Sequence, residues 1–490
     1  MSHGNIDIAL AIFFAALVAT FLTSWFGRLH ARALESQPLS GQKLNRWLVG
    51  LSAGATANSG FVVTGAVSLG YLYGFQWLLL PLGWLLGDVL FWAIFPSRLN
   101  RLGRLSRATT LSEIITFGLN DRGARLLPRL CAVVVLVSLS GYTIAQWMAG
   151  QKFLSGAFDL HGVIASAVFA GLIVAYTALG GFRGSVYTDT LQACIRLVGT
   201  VIAIATISVF ALHSGAAFSD NISRAGPNFL RPLGSLTAVG ASAFVLGYAF
   251  AALGFGLGQP QLVTRYLAGS SPQETRSAWW IYIGFVQFTW IAMTVFGLLL
   301  RGVMPGIEDS ESGFSLFFQH RMPAVVTGII LADIFATLAA TTNGLLIAMS
   351  QVVVRDLLPH SSRLTRQDFQ ITCVALGLGL ATMGLSLAVH GTVVSFALTS
   401  VSLMAAGLAP AVMIRVLGWR CTSTSLVLSV LTGFTVATLW KFVGPSSFIN
   451  EAVAGITCGL AVNFLFAPAI KVPMTAPASQ VHQGPGRDPV

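Results

Sequence analysis

The sequence predicts an all-α polytopic membrane protein with about thirteen transmembrane helices. Three observations carry that prediction. Hydrophobic residues make up 55% of the 490 and charged residues only 9%, against about 25% charged in soluble domains. Mean hydropathy is +0.77. The apolar residues form continuous runs of about 20 or so, the length that crosses a bilayer as a helix. They do not form the alternating ten-residue pattern of a membrane barrel.

In order, the runs lie near 7–27, 47–72, 75–96, 130–154, 162–179, 188–212, 237–260, 278–300, 322–353, 370–390, 393–416, 424–441 and 448–468. The first is long enough to span, and "MSHGNID" before it has no basic region. It reads as a retained helix, not a cleaved signal. Lysine and arginine then set the orientation. With the N-terminus outside, 21 of the 28 basic residues fall on the inner side and six on the outer, and Arg196 lies within a span. This predicts an outer N-terminus and a cytoplasmic C-terminus in a plasma membrane. The tail "VPMTAPASQVHQGPGRDPV" is rich in proline, glycine and serine and reads as disordered.

The net charge of +11 is spread between apolar runs as a topology signal, so nucleic acid is excluded as a partner and lipid is the surrounding medium. The five cysteines, Cys131, Cys194, Cys373, Cys421 and Cys458, are scattered without a CxxC, and no HxxxH occurs. Neither a disulfide framework nor a zinc site is indicated. No nucleophile–base pair is evident, and no cofactor or enzymatic activity is expected.

Two runs are interrupted. "SAGATANSGF" (52–61) places two glycines, two serines, a threonine and an asparagine within the second run. "ALGFGLGQPQ" (252–261) places three glycines and Pro260 at the end of the seventh. Glycine weakens a helix and proline cannot donate to its ladder. Freed backbone groups in a membrane must find partners in protein or ligand. Close helix packing through small residues is the plainer explanation of each alone. Two interruptions at corresponding places in two halves point to a transporter site near the midplane.

The ninth run contributes "LADIFATLAATTNGLL" (331–346), where Asp333, Thr337 and Thr341 share one helical stripe. A carboxylate at the bilayer centre costs about 2.5–3.5 kcal/mol on insertion scales, so Asp333 is expected to face protein or water. Thr342 reads as a threonine bonded to its own i−4 carbonyl. Asp189 either caps the sixth run, in "YTDTLQAC", or serves an ion. Asp88 is another intramembrane acid without an obvious partner, and a pairing of Arg196 with Asp88 or Asp189 does not follow from the sequence.

"YTALGGFRGSVYTDTLQA" (176–193) resembles the signature region of the sodium:solute symporter family. "SAGATANSG", "GQPQLVTRYLAG" (258–269) and the segment ending in "RDLL" (355–358) resemble it too, in matching order over about 7–470. The resemblance implies a leucine-transporter-type core of two inverted five-helix repeats, with the interrupted helices first in each. The chain then divides into an N-terminal helix and inner loop (1–46), a first repeat (47–212), a second repeat (213–416), peripheral helices (417–470) and a tail (471–490).

The family's coupling ion is sodium. By position its ligands here are the carbonyls of Ala55, Asn58 and Thr337 with the side-chain positions Ala340 and Thr341. Ala340 departs from the hydroxyl residue usual in the family and removes one oxygen. Ala57 stands where proline-carrying members have an aspartate, and Asp333 where they have a small residue. Asp189 matches a family acid and is expected on the ion's inner path or in a second ion site, with Asp333 a further candidate for that role. The substrate positions are Ser59, Phe61, Tyr142, Gln146, Ala252, Phe255, Gly256, Gln259 and Pro260. Ala252 and Gly256 replace aromatic residues and Phe61 replaces a tryptophan, which predicts a roomier pocket for a solute bulkier than proline or different from it.

The resulting expectation is sodium-coupled symport of a small organic solute, an amino acid such as proline or a carboxylate, into the cell. Two alternatives remain at this stage: proton coupling through Asp333, and a transporter-like solute sensor without net transport.

Overall fold

The structure, a computed structural model, describes residues 3–32, 42–119, 123–158, 160, 162–358 and 364–468. The tail expected at 471–490 lies outside the described residues. Among these residues the fold is helical, with a single isolated bridge between Leu44 and Gly269.

The N-terminal span is α1 (His3–Arg32). The next span is broken: α2 (Arg46–Ala57) stops at Asn58, and a π-turn at Val62–Ala66 leads into α3 (Val67–Tyr73). The chain returns through α4 (Leu79–Ile94), and α5 (Pro96–Ser106) and α6 (Leu111–Thr116) form the following loop. Then come α7 (Gly123–Phe158), α8 (Gly162–His213) and the short α9 (Gly215–Arg224). The second broken span is α10 (Ala238–Gly258) with α11 (Pro260–Leu267). After α12 (Pro272–Ser277) follow α13 (Trp279–Val303), α14 (Gly313–Arg321) and α15 (Ala324–Val352). The chain closes with α16 (Leu364–Ala388), α17 (Val393–Leu417), α18 (Ser423–Val443) and α19 (Glu451–Phe466).

Ten stretches among the described residues are long and apolar enough to cross a membrane, and Gly162–Thr177 and Glu451–Phe466 are shorter apolar helices. The thirteen expected spans do not map one to one onto these. The break at Asn58 leaves α2 with 12 residues, too few to span alone, and Val62–Ile94 counts as one stretch.

The helix assigned to α8 continues across 180–187, where an inner loop was expected. The chain nevertheless turns back there. The hydroxyls of Tyr176 and Thr188 are 2.6 Å apart across 12 residues, whereas a straight helix would separate those residues by about 18 Å. The expected loop is therefore a tight helical bend between two antiparallel spans.

The loops assigned to the inner side meet at one end of the molecule. Arg104 donates to the carbonyls of Gln42, Gly269 and Ser270, Ser112 donates to Asp356, and Arg415 donates to the Phe117 carbonyl. At the opposite end Lys152 bonds both Asp309 and Glu311 at 2.7 Å. Helices α13, α15 and α17 form the buried centre, with α1 and α16 at the periphery. The centre is where both breaks lie.

Candidate functional site

The break in the first span frees specific carbonyls. In an α-helix Ser59 N–H would bond Ala55 O and Val62 N–H would bond Asn58 O. Instead Ser59 donates to Ala57 O at 3.1 Å and Val62 to Ser59 O at 2.9 Å. Gly60 N–H turns away from Thr56 O to the side-chain oxygen of Gln146 at 2.9 Å. Ala55, Thr56 and Asn58 thus lose their usual helical donors at one place. Thr341 on α15 faces it and donates to Thr56 O at 3.1 Å. Of the expected sodium ligands, Ala55 and Asn58 flank the broken turn, and Thr341 reaches that turn through the Thr56 carbonyl. Thr337 and Ala340 lie buried on α15, with the Thr337 hydroxyl on Asp333 O at 2.9 Å. Thr342 bonds its i−4 carbonyl, Leu338 O, at 2.7 Å, as its sequence context suggests.

The second break has a parallel origin. Gln259 has extended backbone (φ −88°, ψ 107°) between α10 and α11. Pro260 has no N–H for Gly256 O, and Leu262 N–H bonds Gln259 O at 3.1 Å instead of Gly258 O. The Gln259 side chain accepts from Gln261 at 2.6 Å, and its own NH2 group is buried without a partner.

Between the breaks lies an aromatic wall. Phe61 contacts Trp290, Trp290 contacts Trp84, and Trp84 contacts Phe255, with ring centroids 5.3, 5.0 and 5.3 Å apart. Asn58 anchors it by donating to Thr289 at 2.7 Å and accepting from Trp290 Nε1 at 2.8 Å. Tyr142 sits against Ser59, and the Gln146 NH2 group beside them is buried and unpaired. Trp84, Thr289 and Trp290 were not anticipated, because tryptophan in an apolar run has the same appearance whether it faces lipid or a site.

The roomier pocket expected from Ala252 and Gly256 is not what forms. Both positions pack onto α4. A Cβ on Gly87 would stand 2.6 Å from the Ala252 side chain, and one on Gly256 would stand 2.8 Å from the Phe91 ring. The bulk absent from α10 is supplied by Trp84 and Phe91 of the facing helix.

Asp189 does not cap a helix. It lies inside α8, fully buried, and its Oδ2 is 2.6 Å from a guanidinium nitrogen of Arg265 on α11. Ser52 donates to the same oxygen at 2.9 Å, with Thr56 and Ser185 at 3.4 Å. Arg265 also donates to Ser52 at 2.7 Å, to Ser185 at 3.2 Å and to Gln261 O. Asn343 of α15 bonds Ser185 at 2.9 Å. The cluster ties α2, α8, α11 and α15 together, and a narrow crevice lined by Ser185, Gln261, Arg265, Gly344 and Gln351 adjoins it. Arg265 is one of the 21 basic residues that the charge rule assigns to the inner side, and it is buried.

Arg196 pairs with neither Asp88 nor Asp189. Its partner is Asp333, at 2.6 Å, and both are buried. Gly199 makes room for this carboxylate, since any Cβ there would collide with it. Asp88 Oδ2 is buried without a hydrogen-bond partner.

Towards the other end lies a cavity of about 950 Å³ lined by residues including Met148, Lys152, Met304, Asp309 and His320. Glu311 beside it accepts from the first N–H groups of α17, Val393 and Val394, at 3.3 and 3.1 Å, a favourable place for a carboxylate. Ser310 bonds Ser68 of α3 at 2.7 Å. The 304–321 loop is thereby fastened to α3, α7 and α17.

Residues 38–433 match the profile of the Sodium:solute symporter family. The chain belongs to that family. The high-affinity proline transporter PutP of Bacillus subtilis (strain 168) is 22% identical over 479 residues, covering 94% of this chain and 98% of the relative. A sodium/proline symporter of Staphylococcus aureus (strain JH9) is 22% identical over 487 residues, covering 95% and 93%. Among solved structures, a Na+-coupled sialic acid symporter in a substrate-bound outward-open state superposes with a TM-score of 0.76 at 18% identity, covering 95% of this chain and 99% of that one. The fold is the leucine-transporter type, as the family resemblance implied. The family and these relatives are symporters, not enzymes, and this chain is a multi-pass membrane protein with sodium as its family's coupling ion.

Proposed function

We propose that this protein couples sodium entry to uptake of a small organic solute, an amino acid such as proline or a related carboxylate, across a bacterial inner membrane. The observation that carries the reading is the broken turn that frees the Ala55 and Asn58 carbonyls from their helical donors, reached from α15 by the Thr341 hydroxyl at Thr56 O. Sodium is a hard cation and seeks several oxygens. Backbone carbonyls and a threonine hydroxyl meet that need, with Thr337 O completing the set and Ala340 adding none. Coupling requires that the ion bind one conformation of the protein more tightly than the other.

The solute site lies between the two breaks. Ser59, Tyr142, Gln146, Gln259 and Pro260 supply a polar side, and Phe61 and Phe255, extended by Trp84 and Trp290, supply an apolar wall. No charged side chain is among them. A neutral or zwitterionic solute fits such a lining, with its charges facing freed backbone groups and helix ends. Ala252 and Gly256 shape the site from behind by admitting α4. Asp189 sits on the inner path, consistent with an outer N-terminus and a cytoplasmic C-terminus. The two repeats are assigned to 47–212 and 213–416, with 417–470 peripheral.

Asp333 is bound to Arg196, which supports a structural part for it and removes the motive for proton coupling. The test is sodium dependence of solute uptake in proteoliposomes. Thr341→Ala is expected to raise the half-saturating sodium concentration; an unchanged value removes Thr341 from the site and with it the sodium assignment.

A further inference from the structure

The inner end of the molecule carries cations that the fold does not use. Helix α5 has two unlike faces. On one, Asn100 donates to the carbonyls of Tyr266 and Gly269, both at 2.9 Å, and Arg104 donates to those of Gln42, Gly269 and Ser270. The other carries Arg98, Arg101 and Leu105, which share a stripe at i, i+3 and i+7 and are exposed. Arg46 at the start of α2 and Arg276 on α12 are exposed as well, and α12 packs against both α5 and α2. Among the described residues the guanidinium groups of Arg46, Arg98, Arg101 and Arg276 have no ion-pair or hydrogen-bond partner. Glu274 beside them is engaged at the Arg46 backbone N–H, at 3.0 Å.

Tryptophans mark where this patch meets the bilayer. Trp47 follows Arg46 directly, and Trp279 and Trp280 open α13 just after Arg276. All three are exposed, and the Trp47 and Trp280 rings meet edge to face at 5.0 Å. Exposed tryptophan at the end of a span sits at headgroup level. The arginines lie on the loop side of that belt.

We propose that this patch is a binding site for an anionic phospholipid of the inner leaflet, its phosphate held between α5 and the side chains of Arg46 and Arg276 and its acyl chain against the Trp47–Trp280 pair. Guanidinium groups match phosphate oxygens with paired donors, and basic clusters just outside the spans are drawn to anionic lipid. A soluble acidic partner would answer the charge and leave the tryptophans in water, whereas a lipid answers both.

The patch has a mechanical position. Leu44 N–H bonds Ala268 O at 3.1 Å and Ser270 N–H bonds Leu44 O at 2.8 Å. These bonds join the inner end of the first broken span to that of the second, and α5 lies across the joint through Asn100 and Arg104. A lipid that bridges α5 to Arg46 and Arg276 spans the same joint from the membrane side. It therefore favours the arrangement in which the two ends are held together.

The experiment is thermal unfolding of the purified full-length protein in nanodiscs of phosphatidylcholine alone and of phosphatidylcholine with phosphatidylglycerol. Wild type is expected to unfold at a higher temperature with phosphatidylglycerol, and Arg98→Gln with Arg101→Gln to lose most of that rise. The control is Arg125→Gln with Arg129→Gln. Both of those arginines are exposed at the start of α7, so the control removes the same charge outside the patch and is expected to keep the rise. No rise in wild type, a full rise in the α5 variant, or an equal loss in the control overturns the proposal. Inorganic phosphate that reproduces the rise in phosphatidylcholine discs also overturns it, because the patch is then a site for a soluble anion. A second measurement needs no variant: native mass spectrometry of wild type is expected to show phosphatidylglycerol retained in preference to phosphatidylcholine, and equal retention of the two overturns the proposal.

Discussion

Two buried ion pairs lie in the centre of this protein, and they are built differently. Asp189–Arg265 is embedded in hydroxyls: Ser52, Thr56 and Ser185 bond the carboxylate, and Ser52, Ser185 and the Gln261 carbonyl bond the guanidinium. Arg196–Asp333 is nearly bare. It has one contact of 2.6 Å, and Asp333 Oδ1 and two guanidinium nitrogens of Arg196 are buried without partners. The first pair and its hydroxyl partners join α2, α8, α11 and α15. The second joins α8 to α15 behind the site. A buried pair is expensive to desolvate and holds its own only when its remaining valences are satisfied. By that measure the first pair is supported by its surroundings, whereas the second is the one that an apolar contact is expected to replace without loss.

The sharpest way to break this comparison is to remove one partner of the first pair. Asp189→Ala leaves Arg265 charged, buried and unpaired, with Ser52 and Ser185 misdirected. A destabilisation of about 3–5 kcal/mol is expected, read as a large drop in thermal unfolding temperature with loss of uptake. A variant as stable as wild type would show that the pair carries nothing. Replacing the whole pair, by Asp189→Leu with Arg265→Met, is expected to leave uptake abolished, because the surrounding hydroxyls stay stranded.

The same whole-pair exchange at the second site is predicted to behave in the opposite way. Arg196→Met with Asp333→Leu removes three unpaired buried atoms. It is expected to be neutral or to stabilise by about 1–4 kcal/mol and to keep sodium-driven uptake. Loss of uptake in a stable double variant would overturn the assignment of this pair to structure and return Asp333 to the coupling mechanism.

The contrast also marks what the sequence could and could not disclose. Both helix breaks were legible, because glycine, proline and small polar residues act locally on the backbone, and the structure breaks at Asn58 and Gln259 within the stretches they define. The Asp333–Thr337–Thr341 stripe was legible from helical period. The ion pairs were not, since their partners lie 76 and 137 residues apart and nothing local announces either. Arg265 was further disguised by its position next to an inner loop, where basic residues normally report topology. The loss of bulk at Ala252 and Gly256 was legible, but its consequence was not: whether a small residue opens a pocket or admits a neighbour depends on the facing helix, here Phe91 and Gly87.

The smallest effect tests the sodium site from the side of gain. Ala340 is buried on α15, one residue before Thr341 and near the unwound turn of the first span. The family resemblance expects a hydroxyl residue there, which on the proposed reading would add an oxygen to the shell. Ala340→Ser changes the volume by one atom. An extra oxygen ligand strengthens a hard-cation site as ligand number does elsewhere, so the half-saturating sodium concentration is expected to fall several-fold, with little change in unfolding temperature in the absence of sodium. The same substitution made in Thr341→Ala should restore part of the lost affinity. If Ala340→Ser leaves sodium dependence untouched while Thr341→Ala shifts it, position 340 lies outside the shell and α15 contributes through Thr341.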